Sequence, residues 1–254
     1  MALGARSVEF RGLSAVELRA ADGASAIVTL QGAHVVSWIP AGGAEQLFVS
    51  ARSDFAPGRS IRGGIPVVFP QFSKRGPLPQ HGFARTHPWR MAGEGRFALE
   101  DDEATRALWP HAFAAEIAVT LGGARLDLEL RVRNTGAAEF SFTAALHTYL
   151  RVSDIARVRL EGLAAPSLVP IDHVFAEAPR EVRLVDASRS VAIVQRGFHD
   201  SVVWNPGPEG SASRRDMEPG DYRIMLCVEA GAVEVPVVLA AGAEWAGGQT
   251  LTAS

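Results

Sequence analysis

Residues 124–134, ARLDLELRVRN, put Leu126, Leu128, Leu130 and Val132 at every second position and charged side chains between most of them. Successive side chains of a strand point to opposite faces, so a strict period of two marks an antiparallel strand buried on one side. The segments 34–39, 116–121, 191–195, 222–228 and 233–239 read as further strands, punctuated by Gly-Gly, Asn-Thr-Gly and Pro-Gly. No stretch of twelve residues carries helical i, i+3, i+4, i+7 spacing. Only short helical turns are predicted, at 50–55 and 107–113. Many short strands with almost no helix must bury their apolar faces against other sheets, so the predicted class is all-β, a large antiparallel sandwich with few short helices.

The chain has 254 residues, 47% of them hydrophobic, ample for one sizeable core. No repeat or low-complexity tract divides it. The Pro-rich stretch 163–179 reads as a surface loop between strands, and residues 1–254 as a single domain. The net charge of −3 and the lack of a basic stripe argue against a nucleic-acid partner. Lys74 is the only lysine among 25 basic residues, so arginine is compositionally favoured and no single arginine is evidence by itself. Cys227 is the sole cysteine, which precludes an intrachain disulfide and fits a reducing compartment. The start MALGARSVEF has no apolar signal core, and no apolar run reaches the ~18 residues of a membrane span. The expectation is a soluble cytoplasmic monomer with no membrane partner. His81, His87 and His111 lack the spacing of a zinc set, and no Gly-x-Gly-x-x-Gly opens a helix, so neither a metal nor another cofactor is expected.

Alternation also sorts the polar groups. In 140–149, FSFTAALHTY, Phe140, Phe142, Ala144 and Leu146 share one face, and Ser141, Thr143, Ala145, His147 and Tyr149 the other. His147 is therefore either a hydrogen-bonded surface histidine or a cleft residue. In 222–229, YRIMLCVE, Ile224, Leu226 and Val228 oppose Met225, Cys227 and Glu229. Met and Cys are usually buried, so both faces are covered and Glu229 is either a strand-end carboxylate at water or a desolvated one of raised pKa. The segment 60–72, SIRGGIPVVFPQF, and the aperiodic 78–85, LPQHGFAR, read as constrained loops carrying Arg62, His81 and Arg85. Two guanidinium groups on an apolar wall suit a small anion, or each pairs with a nearby carboxylate.

The ordered motifs RGGIPVVFPQF, LPQHGFAR, LHTYLRVSDI, VVWNPG and DYRIMLCVE together resemble the D-hexose-6-phosphate mutarotase group of the aldose 1-epimerase superfamily. The resemblance runs from about Gly32 to the GAEWAGGQ segment near the C-terminus. It implies a β-supersandwich with a concave active face and an isomerase that interconverts α and β anomers of an aldohexose 6-phosphate. It implies His81, His147 and Glu229 as catalytic groups, and Arg62 and Arg85 as phosphate-binding ones. Gln80, beside His81, Asp172 in IDHV and Trp204 in WNPG join Arg62 and Arg85 as substrate-binding candidates. The alternatives are an aldose 1-epimerase acting on unphosphorylated sugars and a non-catalytic carbohydrate-binding sandwich.

Overall fold

The computed structural model describes residues 3–187 and 189–254, and antiparallel sheet dominates them. A four-stranded sheet runs Leu3–Phe10, Leu13–Ala20, Ser25–Thr29, His34–Ile39 in chain order. An eight-stranded sheet is ordered Arg159–Glu161, Glu181–Asp186, Arg189–Arg196, Glu244–Ala253, Arg125–Asn134, Phe113–Gly122, Arg96–Glu100, Arg90–Gly93. A six-stranded sheet is ordered Ile171–Phe175, Asp200–Asn205, Met225–Leu239, Phe140–Leu146, Val67–Val68, with Tyr149–Arg151 also pairing along Met225–Leu239.

The alternation that opened the sequence reading is realised: Leu126, Leu128, Leu130 and Val132 are all fully buried, while Arg125, Arg131 and Arg133 are exposed. Those four side chains join one hydrophobic cluster with Phe142, Leu146, Leu226 and Val228 from the six-stranded sheet and Leu18, Val28 and Trp38 from the four-stranded one. The sheets thus close face to face, and each fully buried leucine stabilises the sandwich by about 1.5–3 kcal/mol before entropy is counted. The opposite face of the six-stranded sheet is then left to build a cleft.

Four local expectations need correction. The helix near 107–113 begins earlier, at Glu103, and ends at Leu108, because Asp102 caps it: its side chain accepts from the Thr105 amide at 2.8 Å while the Thr105 hydroxyl bonds back to the Asp102 amide. Residues 50–55 form turns rather than a helix. The strand expected from Tyr222 begins at Met225, after the 3-10 turn Asp221–Ile224. The stretch 163–179 is not all loop, for Ile171–Phe175 is the edge strand of the six-stranded sheet. Its half-exposed burial blurs the alternation by which a strand is recognised. A helix at Gly207–Ser213, made of small residues, had no periodic signal at all.

Candidate active site

Register in the six-stranded sheet aligns the polar groups in two adjacent rows. Asp172 pairs with Trp204, Trp204 with Cys227, and Cys227 with Tyr149. Two residues along, Val174 pairs with Val202 and Val202 with Glu229. Because side chains two apart share a face, Asp172, Trp204, Tyr149, Val202 and Glu229 all point the same way. His147 lies between Ala145, which pairs with Gly231, and Tyr149, in the break separating Phe140–Leu146 from Tyr149–Arg151. It keeps the parity of both and faces the same side.

That side is a cleft of about 190 Å³ lined by Arg62, Phe72, Ser73, Gln80, His81, His147, Asp172, Val202, Trp204, Arg214 and Glu229. His147 Nδ1 lies 3.3 Å from Glu229 Oε1, and the Glu229 side chain is only 1% exposed. Among the described residues, neither His147 Nδ1 nor Glu229 Oε2 has a well-aligned hydrogen-bond partner. Burial pushes the Glu229 carboxyl well above the usual carboxylate range, helped by the negative charge of Asp172 and opposed by Arg85. Burial pushes the His147 imidazole well below its ordinary value, helped by His81, Arg62 and Arg85. The His147 ring stacks on Tyr149, centroids 4.6 Å apart and planes 8° from parallel, and meets the Trp204 edge at 6.3 Å.

His81 reaches the cleft from the loop 78–85, with its ring 5.4 Å from that of His147. The loop reverses through two consecutive left-handed residues, His81 (φ 66°) and Gly82 (φ 69°). It is held by the amides of Phe83 and Ala84, both donating to Phe69 O, and by the His81 amide donating to Ser73 O. The Ser73 amide donates to His81 Nδ1 at 3.3 Å, which leaves Nε2 as the protonated ring nitrogen. Burial, Arg85 and Arg62 lower the His81 pKa to about 3, so this ring is a neutral donor at neutral pH. A Cβ on Gly82 would fall 2.2 Å from Phe69 O. Gly82→Ala is therefore expected to destabilise the fold by roughly 2 kcal/mol and to misplace His81. Chemical denaturation of the purified variant checks the first effect; an unchanged midpoint would show that the loop yields freely.

Arg62 enters beside two glycines that let the backbone pass close. A Cβ on Gly64 would lie 2.3 Å from Val35 O. The Arg62 guanidinium pairs with Asp216 at 3.0 Å and donates to the Tyr149 hydroxyl at 2.9 Å. Its carbon stands 5.7 Å from the Trp204 ring centroid. The structure therefore brings together Arg62, Gln80, His81, His147, Asp172, Trp204 and Glu229, seven of the eight candidates named from the sequence. Arg85 does not line the cleft. Its guanidinium donates to Gln80 O at 2.7 Å, and it acts on Glu229 and the imidazoles through its charge. Four lining residues, Phe72, Ser73, Val202 and Arg214, were not among the candidates, and two of them are polar. Ser73 takes positive φ (50°) after the FPQF run, and Arg214 follows the helix Gly207–Ser213. Their only signals were position after FPQF and after WNPG.

A larger cavity of about 600 Å³ lies elsewhere, bounded by Ala176, Arg180, Gln195, Phe198, His199 and Glu234 among others. It has no comparable acid–base pair: its Asp200 accepts from the Val233 and Glu234 amides at 2.8 and 2.9 Å. Chemistry, not volume, makes the smaller cleft the candidate.

The aldose 1-epimerase family model matches residues 14–167 and 164–252. A protein of Cenchrus ciliaris named "Putative glucose-6-phosphate 1-epimerase" is 35% identical over 280 residues, spanning 95% of this chain and 85% of its own. An Escherichia coli K12 protein of the same name is 34% identical over 234 residues, spanning 79% of this chain and 77% of its own. The crystal structure of a "putative mutarotase" from Salmonella typhimurium superposes with a TM-score of 0.86 at 29% identity, covering 99% of this chain and 93% of that one. A sandwich whose cleft gathers two imidazoles and one buried carboxyl, on a chain matched from residue 14 to residue 252, belongs to the aldose 1-epimerase family.

Proposed function

We propose that the protein is a hexose-6-phosphate mutarotase that equilibrates the α and β anomers of an aldohexose 6-phosphate, glucose 6-phosphate first among them. The observation that carries the reading is the Glu229–His147 pair, buried and 3.3 Å apart in a cleft that also holds Arg62 and Arg214. The names borne by the relatives of Cenchrus ciliaris and Escherichia coli support the sugar phosphate as substrate. A cleft of about 190 Å³ has room for some six water molecules at ~30 Å³ each, which suits a single sugar ring. The substrate is a small charged molecule of the kind held in the cytoplasm, and one chain supplies every lining residue of the cleft, so the chemistry needs no second subunit.

The proton balance follows from the pair. The form that reacts with the closed pyranose has Glu229 as carboxylate and His147 as imidazolium, the less stable arrangement of a pair whose single proton otherwise rests on Glu229. Glu229 takes the proton of the C1 hydroxyl, the C1–O5 bond breaks, and O5 takes the proton of His147. The product is the open aldehyde beside a neutral carboxylic acid and a neutral imidazole. Rotation about C1–C2 presents the other carbonyl face, and the same steps in reverse deliver the other anomer. Burial of Glu229 and His147 disfavours both charges. The same neutral forms accompany the open chain, so ring opening leaves no unpaired buried charge behind. The Nε2–H of His81 donates to the sugar oxygen that gains charge as the ring opens. Arg62 holds the phosphate, and Arg85 adds positive charge from beyond Gln80.

Binding energy from the phosphate fixes the ring without joining the chemistry, so its removal from the substrate should slow catalysis. The expected result is a kcat/KM for glucose 6-phosphate exceeding that for glucose by about 100-fold, from two charged contacts of about 1.5–3 kcal/mol each partly offset by desolvation. Anomer-exchange NMR on both sugars measures the ratio. A ratio near one would favour the unphosphorylated-sugar epimerase, and no acceleration of either sugar a binding module.

A further inference from the structure

The arginines around the cleft differ in what already neutralises them. Arg62 is paired with Asp216 and bonded to Tyr149. Arg75 pairs with Glu234 outside the cleft. Arg214 lines the cleft, yet among the described residues no carboxylate stands within ion-pair distance of it. Among the described residues, the one hydrogen bond of its guanidinium runs from Nη1 to Gly210 O at 2.7 Å, and the guanidinium carbon lies 5.4 Å from the Trp204 centroid. Arg62 approaches the same indole, so the two guanidinium groups share one aromatic support.

The mount is rigid. Asn205 donates to Tyr222 O and Met225 O and accepts from the Gly207 amide, fixing the start of the helix Gly207–Ser213 against the sheet. Arg214 is the residue that ends that helix, and its amide donates to Ser211 O. A guanidinium held on an aromatic face loses little freedom on binding and offers a planar fork suited to phosphate. With no carboxylate already paired to it, this guanidinium is available to an anionic ligand.

We propose that Arg214 is the principal phosphate contact of this cleft and sets its preference for phosphorylated over free sugars, with Arg62 as the second contact. The proposal rests on the mutarotase reading for its substrate. Arg85 likewise has no carboxylate within ion-pair distance among the described residues, but its guanidinium turns to Gln80 O and does not line the cleft, which ranks it behind Arg214.

The test compares the wild type with Arg214→Gln, Arg214→Lys and Arg215→Gln. Arg215 is an exposed neighbour that does not line the cleft, and its loss changes the net charge equally. Arg214→Gln is expected to lower the ratio of kcat/KM for glucose 6-phosphate over glucose by roughly 10–100-fold, chiefly through KM. Arg214→Lys should recover part of it, and Arg215→Gln should leave the ratio unchanged. An unchanged ratio in Arg214→Gln overturns the proposal, as does an equal loss on both sugars, which would mean that Arg214 merely supports Trp204. Calorimetric titration with inorganic phosphate separates this from the functional reading. Phosphate binding that is lost in Arg214→Gln upholds the site even if the wild type exchanges no glucose 6-phosphate. A wild type that exchanges glucose 6-phosphate but binds phosphate no better than Arg214→Gln sinks the site alone.

Discussion

Glu229→Gln is expected to slow anomer exchange by about 10²–10⁴-fold and, at neutral pH, to make the protein more stable to heat. The amide keeps the shape of the carboxyl but accepts no proton from the C1 hydroxyl, so only the positioning contributed by the rest of the cleft survives. The stability gain follows from linkage. Burial holds the Glu229 pKa above its unfolded value, so the folded state binds this proton more tightly than the unfolded chain does. Stability then falls as pH rises from the unfolded carboxyl pKa of ~4.3 toward the raised folded one, and stays lowered beyond it. Glutamine has no proton to lose and escapes that penalty. The melting temperature of Glu229→Gln should therefore exceed that of the wild type at pH 7.5, and the difference should shrink near pH 4. If the variant instead melted lower at pH 7.5 and level with the wild type at pH 4, Glu229 would be an ionised, well-paired carboxylate in the folded protein, and the account of the proton pair would be wrong.

The face of Glu229 was legible because alternation puts it with Met225 and Cys227, but its burial was not decided by pattern; it follows from the packing of those two residues with Phe48 and Tyr149. The face of His147 was legible for the same reason, since parity survives the strand break after Leu146. Alternation says nothing about which strands become neighbours. The row of Asp172, Trp204, Cys227 and Tyr149 depends on long-range register, and Asp172 became a candidate only through a resemblance in IDHV. Arg85 shows the opposite limit. Its loop has no period, and the left-handed turn at His81 and Gly82 is what aims the imidazole into the cleft while the arginine four residues on reaches Gln80 O. Arg214 was silent because GPEGSAS, the helix that carries it, has no apolar stripe to reveal a helix. Local pattern thus gave the faces of His147 and Glu229, the resemblance singled them out as an acid–base pair, and the charged corner required the tertiary fold.

His147→Asn should cost a similar factor, about 10²–10⁴-fold, and leave a residual rate with a different dependence on pH. The active wild type holds one proton between Glu229 and His147. Adding a second proton or removing the first stops turnover, so kcat/KM should be bell-shaped, with two macroscopic pKa values that belong to the pair. Without His147, the remaining requirement is an ionised Glu229. Its pKa is held up by burial and Asp172, so the residual rate should keep rising with pH past the ordinary carboxylate range, with no alkaline decline from the pair. In Glu229→Gln the requirement reverses, because the residual rate then needs a protonated His147. Burial, His81 and the two arginines hold that imidazole low, so this rate should already be falling as pH rises toward neutrality. The double variant should be little worse than either single one, because groups that act as a unit do not contribute additively. Stopped-flow polarimetry from pH 5 to 9 reads all three profiles. Two residual profiles of the same shape would mean that neither side chain carries the proton assigned to it, and multiplicative losses in the double variant would mean that the two work independently rather than across one sugar.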